Sequence, residues 1–292
     1  MKTLLEVSSL ILIVFVAFIV WVIIGTPSAN EIRGCVITNK YKVKLCPENK
    51  SYVNLQKVSS YMKDLVIISE DASFYSHKGF DFDELKNSLN LNLSRKRISR
   101  GGSTITQQLA KNVFLPFEKT FSRKIREAIL TTHIEHILTK DQILEKYLNV
   151  IEFGKRVYGV GPASVYYFNK AATDLNLLEA AFLTYLVPNP KVYQRVYFNK
   201  QLTPYSQYRI LDLCYRMYRF HKITLDQYIA AKKYVDLFPW KKLTVSQQNE
   251  LSGHLVDSPD LESMLSPDDK LPESDSSLNY VDPSENESPF DE

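Results

Sequence analysis

The sequence predicts a mainly α protein, a helical domain hung on one N-terminal transmembrane helix and followed by a disordered acidic tail. Three observations predict it. Leu10 to Ile24 is an unbroken apolar run inside a charge-free stretch from Val7 to Asn30. From about Leu65 to Tyr234 apolar residues recur at helical spacing, with the few glycines gathered where turns are needed. From Thr244 onward Ser, Asp, Glu and Pro dominate and periodicity is lost. These changes divide the chain into an anchor at 1–27, a juxtamembrane segment at 28–59, a folded domain at 60–243 and a tail at 244–292.

The anchor reaches the roughly twenty residues a bilayer needs once Val7, Ser8, Ser9 and Gly25 are counted in. A cleaved signal peptide has a shorter apolar region and a small-x-small site, which Pro27-Ser28-Ala29 matches only loosely. An uncleaved anchor is therefore expected. Its orientation is not set by charge, since Lys2 precedes the span while Arg33, Lys40, Lys42 and Lys44 follow it.

In the juxtamembrane segment Cys35 and Cys46 flank a β-rich stretch able to turn about Lys40-Tyr41. That spacing leaves two outcomes open, a disulfide or two unrelated buried thiols. Cys214, among Leu211, Leu213 and Tyr215, reads as core. Within the domain, Ile125, Ala128, Ile129 and Thr132 and then Ile143, Leu144, Tyr147 and Leu148 mark two helices between Thr120 and Val150, broken at Thr139-Lys140-Asp141 with Thr139 as N-cap. Leu177–Tyr185 is an apolar helix stopped by Pro188-Asn189-Pro190.

Charge is unevenly spread. Residues 244–292 hold thirteen Asp and Glu against one Lys, so the formal net charge of +3 divides into a body of +15 and a tail of −12. A basic body points to an anionic partner: nucleic acid, a membrane surface or a phosphorylated substrate.

Three segments carry chemistry. Glu70-Asp71-Ala72-Ser73-Phe74-Tyr75-Ser76-His77-Lys78-Gly79 crowds acids, an imidazole and aromatics together. A sugar-active site needs such a mixture, because a carboxylate takes a proton from a hydroxyl and aromatics border the ring. The plainer reading is a helix end with a solvated acid pair. Gly101-Gly102-Ser103-Thr104-Ile105-Thr106-Gln107-Gln108-Leu109-Ala110-Lys111-Asn112 offers close backbone approach, hydroxyls, amides and a cation, without the Gly-Lys-Ser/Thr of a P-loop. Arg123-Lys124-Ile125-Arg126-Glu127 puts Arg123 and Glu127 on one helix face, suited either to a pyrophosphate or to an exposed salt bridge of little energetic consequence.

Together these segments closely resemble the family 51 glycosyltransferases of bacterial cell-wall synthesis, the transglycosylase module of class A penicillin-binding proteins. The resemblance runs from about Ile67 to Tyr218 and includes Lys140–Asn149, Glu152-Phe153-Gly154, Tyr167-Phe168-Asn169-Lys170 and Leu178-Glu179-Ala180-Ala181. Leu186-Val187-Pro188-Asn189-Pro190 is similar to the monofunctional branch.

The resemblance implies a lysozyme-like fold, with Glu70 as catalytic base and Glu127 as second essential carboxylate. It implies that Asp71, Phe74 and His77 shape or support the substrate site, and that Ser103, Thr104, Gln108, Lys111 and Asn112 line the donor and pyrophosphate region. Arg123 and Lys124 fall on its phosphate-binding cations, while Lys140 and Glu145 take helix-packing roles. His133 and His136 match nothing in the family pattern. The implied reaction polymerises lipid II, with inversion and release of undecaprenyl pyrophosphate. No cofactor is required by the sequence; a divalent cation, Mg or Mn, near Glu127 is the one option.

Implied partners are lipid II, the growing lipid-linked strand, the membrane and cell-division or elongation proteins, with no role for nucleic acid. The implied location is the inner membrane, single-pass, with the domain on the periplasmic side. Phe80, Phe82, Leu85, Leu89, Leu91 and Leu93, followed by Arg95-Lys96-Arg97 and Arg100, are expected to rest in the headgroup region. Two rivals stand beside this reading, a lytic glycan-cleaving enzyme and a non-catalytic membrane-anchored scaffold.

Overall fold

The computed structural model describes residues 2–86, 88, 102–118 and 120–253. The first element, α1 (Lys2–Ile24), is continuous over 23 residues, about 35 Å at 1.5 Å per residue. Its Leu10, Ile11, Leu12, Ile13 and Val14 are exposed, and a window within residues 6–33 reaches a mean hydropathy of 3.1. The helix is thus long and apolar enough to cross a membrane. Its last turn packs on the domain. Val22 is buried, the Trp21 ring lies 5.0 Å from the Arg126 guanidinium, and Gly25 leaves room for that side chain.

A 3-10 turn at Ala29–Arg33 buries Ile32 and leads into a hairpin. Its strands, β1 (Val36–Ile37) and β2 (Lys44–Leu45), pair Val36 with Leu45 and Ile37 with Lys44. Cys35 and Cys46 form a disulfide just outside that ladder, which resolves the choice left open by their spacing. Residues 52–55 are then clamped to a helix: Glu145 accepts from the Tyr52 hydroxyl at 2.6 Å and the Leu55 N–H at 2.8 Å, and Asn149 exchanges two bonds of 2.8 Å with Val53. Glu145 therefore has the packing role expected for it.

The domain is built on two helix contacts. The first packs α2 (Ser60–Glu70) against α7 (Leu177–Leu186) and α10 (Pro204–Arg219). All ten residues of α7 are buried, as an apolar helix surrounded by others must be. Arg216 of α10 donates to the Ile68 carbonyl, fixing the end of α2. The second packs α3 (Ile105–Phe114) against α4 (Phe121–Ile137) and α5 (Lys140–Val150). Thr139 caps α5 through a capping box with Gln142. Between the two groups lie β3 (Glu152–Gly154), paired antiparallel with β4 (Val157–Tyr158), and α6 (Val160–Phe168). Two single turns, α8 (Pro190–Tyr193) and α9 (Arg195–Phe198), precede α10, and α11 (Leu225–Tyr234) follows it. Cys214 is buried among core residues, while His133 and His136 are exposed.

One boundary moves. Val245–Ser252 forms a further helix, α12, opened by a Thr244–Gln247 capping box. Its Leu251 is fully buried, and the Leu251 carbonyl accepts from Tyr61 and Gln227. The folded unit thus extends through Gly253 and takes in the first ten residues of the expected tail. Residues 254–292 lie outside the described residues, as do 89–101, and with them Leu89, Leu91, Leu93 and the basic run of the expected headgroup contact.

Candidate active site

The site forms where α2 ends. The helix stops at Glu70 because Asp71 leaves the helical region at φ −165°, and the chain turns back through Phe74 to Gly79. Asp71 holds the turn: its Oδ1 accepts from His77 Nε2 at 2.8 Å and its Oδ2 from the Ile105 N–H, the first residue of α3, at 2.9 Å. The Gly79 N–H donates to His77 Nδ1 at 3.1 Å, so the imidazole proton sits on Nε2. Gly79 itself has φ +89°, and a Cβ there would lie 2.7 Å from Thr131, so glycine is required. Its carbonyl accepts from Thr104 Oγ1 at 2.7 Å. Thr104 is also the N-cap of α3, in a capping box with Gln107. The first and second sequence segments are thereby welded together.

Glu70 is positioned by α3. Gln108 Nε2 donates to Glu70 Oε2 at 2.8 Å, and the Gln108 carbonyl oxygen accepts from the Tyr147 hydroxyl at 3.2 Å. The buried phenol thus orients the amide so that its nitrogen faces the carboxylate. Burial raises the Glu70 pKa, and the Gln108 bond and the nearby Lys111 oppose that rise. Burial also raises the Asp71 pKa, against the bonds from His77 and Ile105.

Phe74 has no exposed surface. It meets the His77 ring edge-on and lies under Lys140, whose Nζ is 4.5 Å from its centroid. Lys140 is paired to Glu135 at 2.7 Å, and Glu135 also takes the Thr106 hydroxyl. Phe74, Thr104 and Asp71 consequently frame the site rather than line it, because all three are interior. Ser103, just ahead of the cap, is half-buried.

The third segment lies on the first two turns of α4. Glu127 is 2% exposed, and its two oxygens are taken by Arg123 Nη1 at 3.0 Å and by Lys124 Nζ. The exposed-salt-bridge alternative is thus set aside by burial. Lys111 links this cluster to Glu70. Its pKa is lowered, first by burial and then by Arg123 and Lys124, while Glu127 and Glu70 favour its charge. Three cations are gathered about one buried carboxylate, an excess of two positive charges.

Glu127 does not fit a divalent cation in this arrangement. Each of its oxygens already accepts from a cation, and a metal would meet the field of three positive groups. Among the described residues, the one cluster of metal-ligand types within reach of a common point is Cys35, Cys46 and Glu48, where both thiols are consumed in the disulfide.

Three further residues border the cluster. Lys40, from the hairpin tip, reaches Asn112 Oδ1 at 3.4 Å. Tyr41 is hydrogen-bonded to Glu152 and stacks on Tyr158 at 4.5 Å. The Glu152-Phe153-Gly154 motif held a signal for Glu152, whereas nothing local marks Lys40 or Tyr41.

Fold and site define a helical domain with a desolvated carboxylate beside a cation cluster, the equipment for transferring a group away from an anionic leaving group. The chain belongs to the Transglycosylase family, whose profile matches residues 38–214. Among its relatives are proteins named biosynthetic peptidoglycan transglycosylase. That of Dechloromonas aromatica is 38% identical over 179 residues, covering 60% of this chain and 78% of the relative. Those of Methylobacillus flagellatus and Chromobacterium violaceum are 42% and 47% identical over 144 and 142 residues, each covering 49% of this chain and 63% and 62% of the relatives. The chain therefore spans less than two thirds of the length of the last two.

Proposed function

We propose that this protein is a peptidoglycan glycosyltransferase that polymerises lipid II into β-1,4-linked strands and releases undecaprenyl pyrophosphate. The observation that carries the reading is the pairing of a desolvated Glu70, aimed by Gln108 and Tyr147, with the cation cluster around Glu127. The name its relatives share, biosynthetic peptidoglycan transglycosylase, supplies the substrate class.

In this mechanism Glu70 takes the proton of the acceptor's C4 hydroxyl as that oxygen attacks the anomeric carbon from the face opposite the pyrophosphate. The glycosidic bond forms as the carbon–phosphate oxygen bond breaks, so the α linkage becomes β. Charge grows on the departing pyrophosphate, and Arg123, Lys124 and Lys111 lie where that charge is stabilised. Burial serves the base as well, since a desolvated carboxylate is a stronger proton acceptor. Asp71 and His77 hold the turn without taking part in proton transfer.

The same reading sets α1 across the inner membrane as a single-pass anchor with the domain on the periplasmic side, where lipid II and the growing strand are presented. Cell-division or elongation proteins are its expected partners. The test is polymerisation of lipid II by the full chain in detergent, with Glu70→Gln as control. Release of undecaprenyl pyrophosphate and glycan strands by the wild type alone is expected. Cleavage of preformed glycan with no polymerisation would replace this reading with the lytic one, and inactivity on both would leave the scaffold.

A further inference from the structure

We infer that the disulfide-clamped hairpin delivers Lys40 to the anion site as a further positioning cation, and that the group it receives is a sugar-linked phosphate. The inference rests on the reading of the cluster around Glu127 as a phosphate site.

The hairpin tip is fixed to the helix that carries the site. The Asn39 N–H donates to the Val113 carbonyl at 2.7 Å and its side-chain amide to the Phe114 carbonyl at 2.8 Å. Both carbonyls belong to the last turn of α3, the turn that carries Lys111 and Asn112 and that follows Gln108. Inside the tip, Thr38 bonds the Val43 N–H through its hydroxyl at 2.9 Å, and Lys42 takes φ +55°. Lys40 then projects between the Tyr41 and Phe117 rings, 4.6 and 5.3 Å from their centroids.

That position is electrostatically costly without a ligand. Lys40 stands in the field of Lys111, Arg123 and Lys191, opposed by Glu152, and burial with these cations lowers its pKa to about 8. Gathering like charges in a partly desolvated place is unfavourable unless an anion arrives to divide them.

A second observation points to the same occupant. Two buried polar atoms beside Lys40 lack a protein partner, Arg123 Nε and Glu152 Oε1. One is a donor and the other an acceptor, and leaving either unpaired is unfavourable in a folded protein. A ligand that satisfies both presents an anionic oxygen to Arg123 and a hydroxyl or amide proton to Glu152. A phosphate attached to a sugar does both, the phosphate meeting Arg123 and a sugar hydroxyl or amide meeting Glu152, whereas a lipid tail offers neither.

The clamp gives Lys40 its place. A ladder of two residue pairs is marginal on its own, and the Cys35–Cys46 bond closes it from outside. Opening that bond frees the stem while leaving Asn39 as the main hold on the tip.

The experiment uses the full chain in detergent as wild type, Lys40→Gln, Lys40→Arg, a Cys35→Ser/Cys46→Ser variant and its combination with Lys40→Gln. Initial rates on lipid II, calorimetric binding of inorganic pyrophosphate and melting temperature are measured for each. Lys40→Gln should raise KM and weaken pyrophosphate binding about tenfold, the effect of losing one charge-assisted contact, with melting temperature unchanged. Lys40→Arg should recover most of that loss. The serine pair should shift KM in the same direction and add nothing further once Lys40 is Gln.

Wild-type KM and pyrophosphate binding in Lys40→Gln would overturn the inference, as would equal losses in Lys40→Gln and Lys40→Arg. A wild-type protein that binds pyrophosphate through Lys40 but does not polymerise lipid II would instead sink the glycosyl-transfer reading and leave the anion site standing.

Discussion

Replacing Arg123 with Gln separates what the cation cluster does for the fold from what it does for the reaction. The change leaves Glu127, whose side chain is 3% exposed, with Lys124 as its remaining pair partner. Removing one partner of a buried pair costs about 3–5 kcal/mol. The Lys124 side chain is 51% exposed, so solvent screens its pairing, which offsets a part of that cost and not the whole of it. Its persistence places the cost at the lower end, about 3 kcal/mol. For a domain of this size that lowers the melting temperature by roughly 6–12 °C.

The pairing of Arg123→Gln with Glu127→Gln removes the orphaned charge and should restore most of the melting temperature, with a coupling of about 1–3 kcal/mol in the cycle. The rate behaves differently. A lost donor to growing charge costs about 3 kcal/mol of transition-state stabilisation, roughly a hundredfold or more in kcat, and the second substitution does not return it. Calorimetry and initial rates on lipid II for the four proteins decide the matter. A double variant that regains both stability and rate would show the cluster to be structural and refute the leaving-group role. A single variant with an unchanged melting temperature would refute the burial argument.

Glu70→Gln should abolish polymerisation, a loss of at least about 10²-fold for a general base. Because the folded pKa of Glu70 is raised, the folded state holds the proton more tightly than the unfolded chain, and the associated stability is lost as pH rises through the folded pKa. Glu70→Gln should therefore melt no lower than wild type at neutral pH, and a marked drop would contradict that. The acidic limb of the wild-type rate profile should fall above the ordinary Glu pKa of about 4.3; a limb at or below that value would argue against Glu70 as the base. Tyr147→Phe removes the bond that orients Gln108 and should cost about 1 kcal/mol of stability together with a fall in kcat at unchanged KM. A change in KM alone would detach Tyr147 from the base. Deleting residues 254–292 should leave rate and melting temperature unchanged, whereas deletion from Thr244 exposes the Leu251 pocket and should cost about 2–3 kcal/mol; equal behaviour of the two truncations would show that α12 is dispensable.

The helices were legible because their periodicity and caps are local, as at Thr139 and Leu177. Glu70, Gln108 and Glu127 are singled out in the sequence by ordered motifs that resemble a known family, and the fold sets Gln108 against Glu70. The same residues taken singly looked like a helix end and a surface pair. Burial of Glu127 could not be read, since Arg123, Lys124 and Glu127 give one pattern on a solvated face and on a packed one. The hairpin tip was hidden for another reason: Asn39 meets Phe114 across 75 positions of sequence, and no local pattern records such a bond. The Thr244–Gln247 box was a readable signature, masked by the Ser, Asp and Glu composition that follows it. Phe74 is expected to shape or support the site, and it lies buried under Lys140 behind the Asp71–His77 turn; no local pattern tells a buried aromatic from one that faces a sugar.

The contact of Trp21 with Arg126 makes α1 more than a tether. Arg126 and Glu127 are consecutive, so the last turn of α1 and the anion cluster ride on the same stretch of α4. A lipid-borne donor presents its phosphates at one depth, that of the headgroups, and its reach is limited by the tail it cannot leave. On the proposed function, α1 acts as a depth gauge that holds the cluster at that level. One added helical turn would displace it by about 5 Å, farther than any of its cations reaches to a partner. The length of the anchor is then a parameter of catalysis, read by the substrate as surely as the side chains of the cleft.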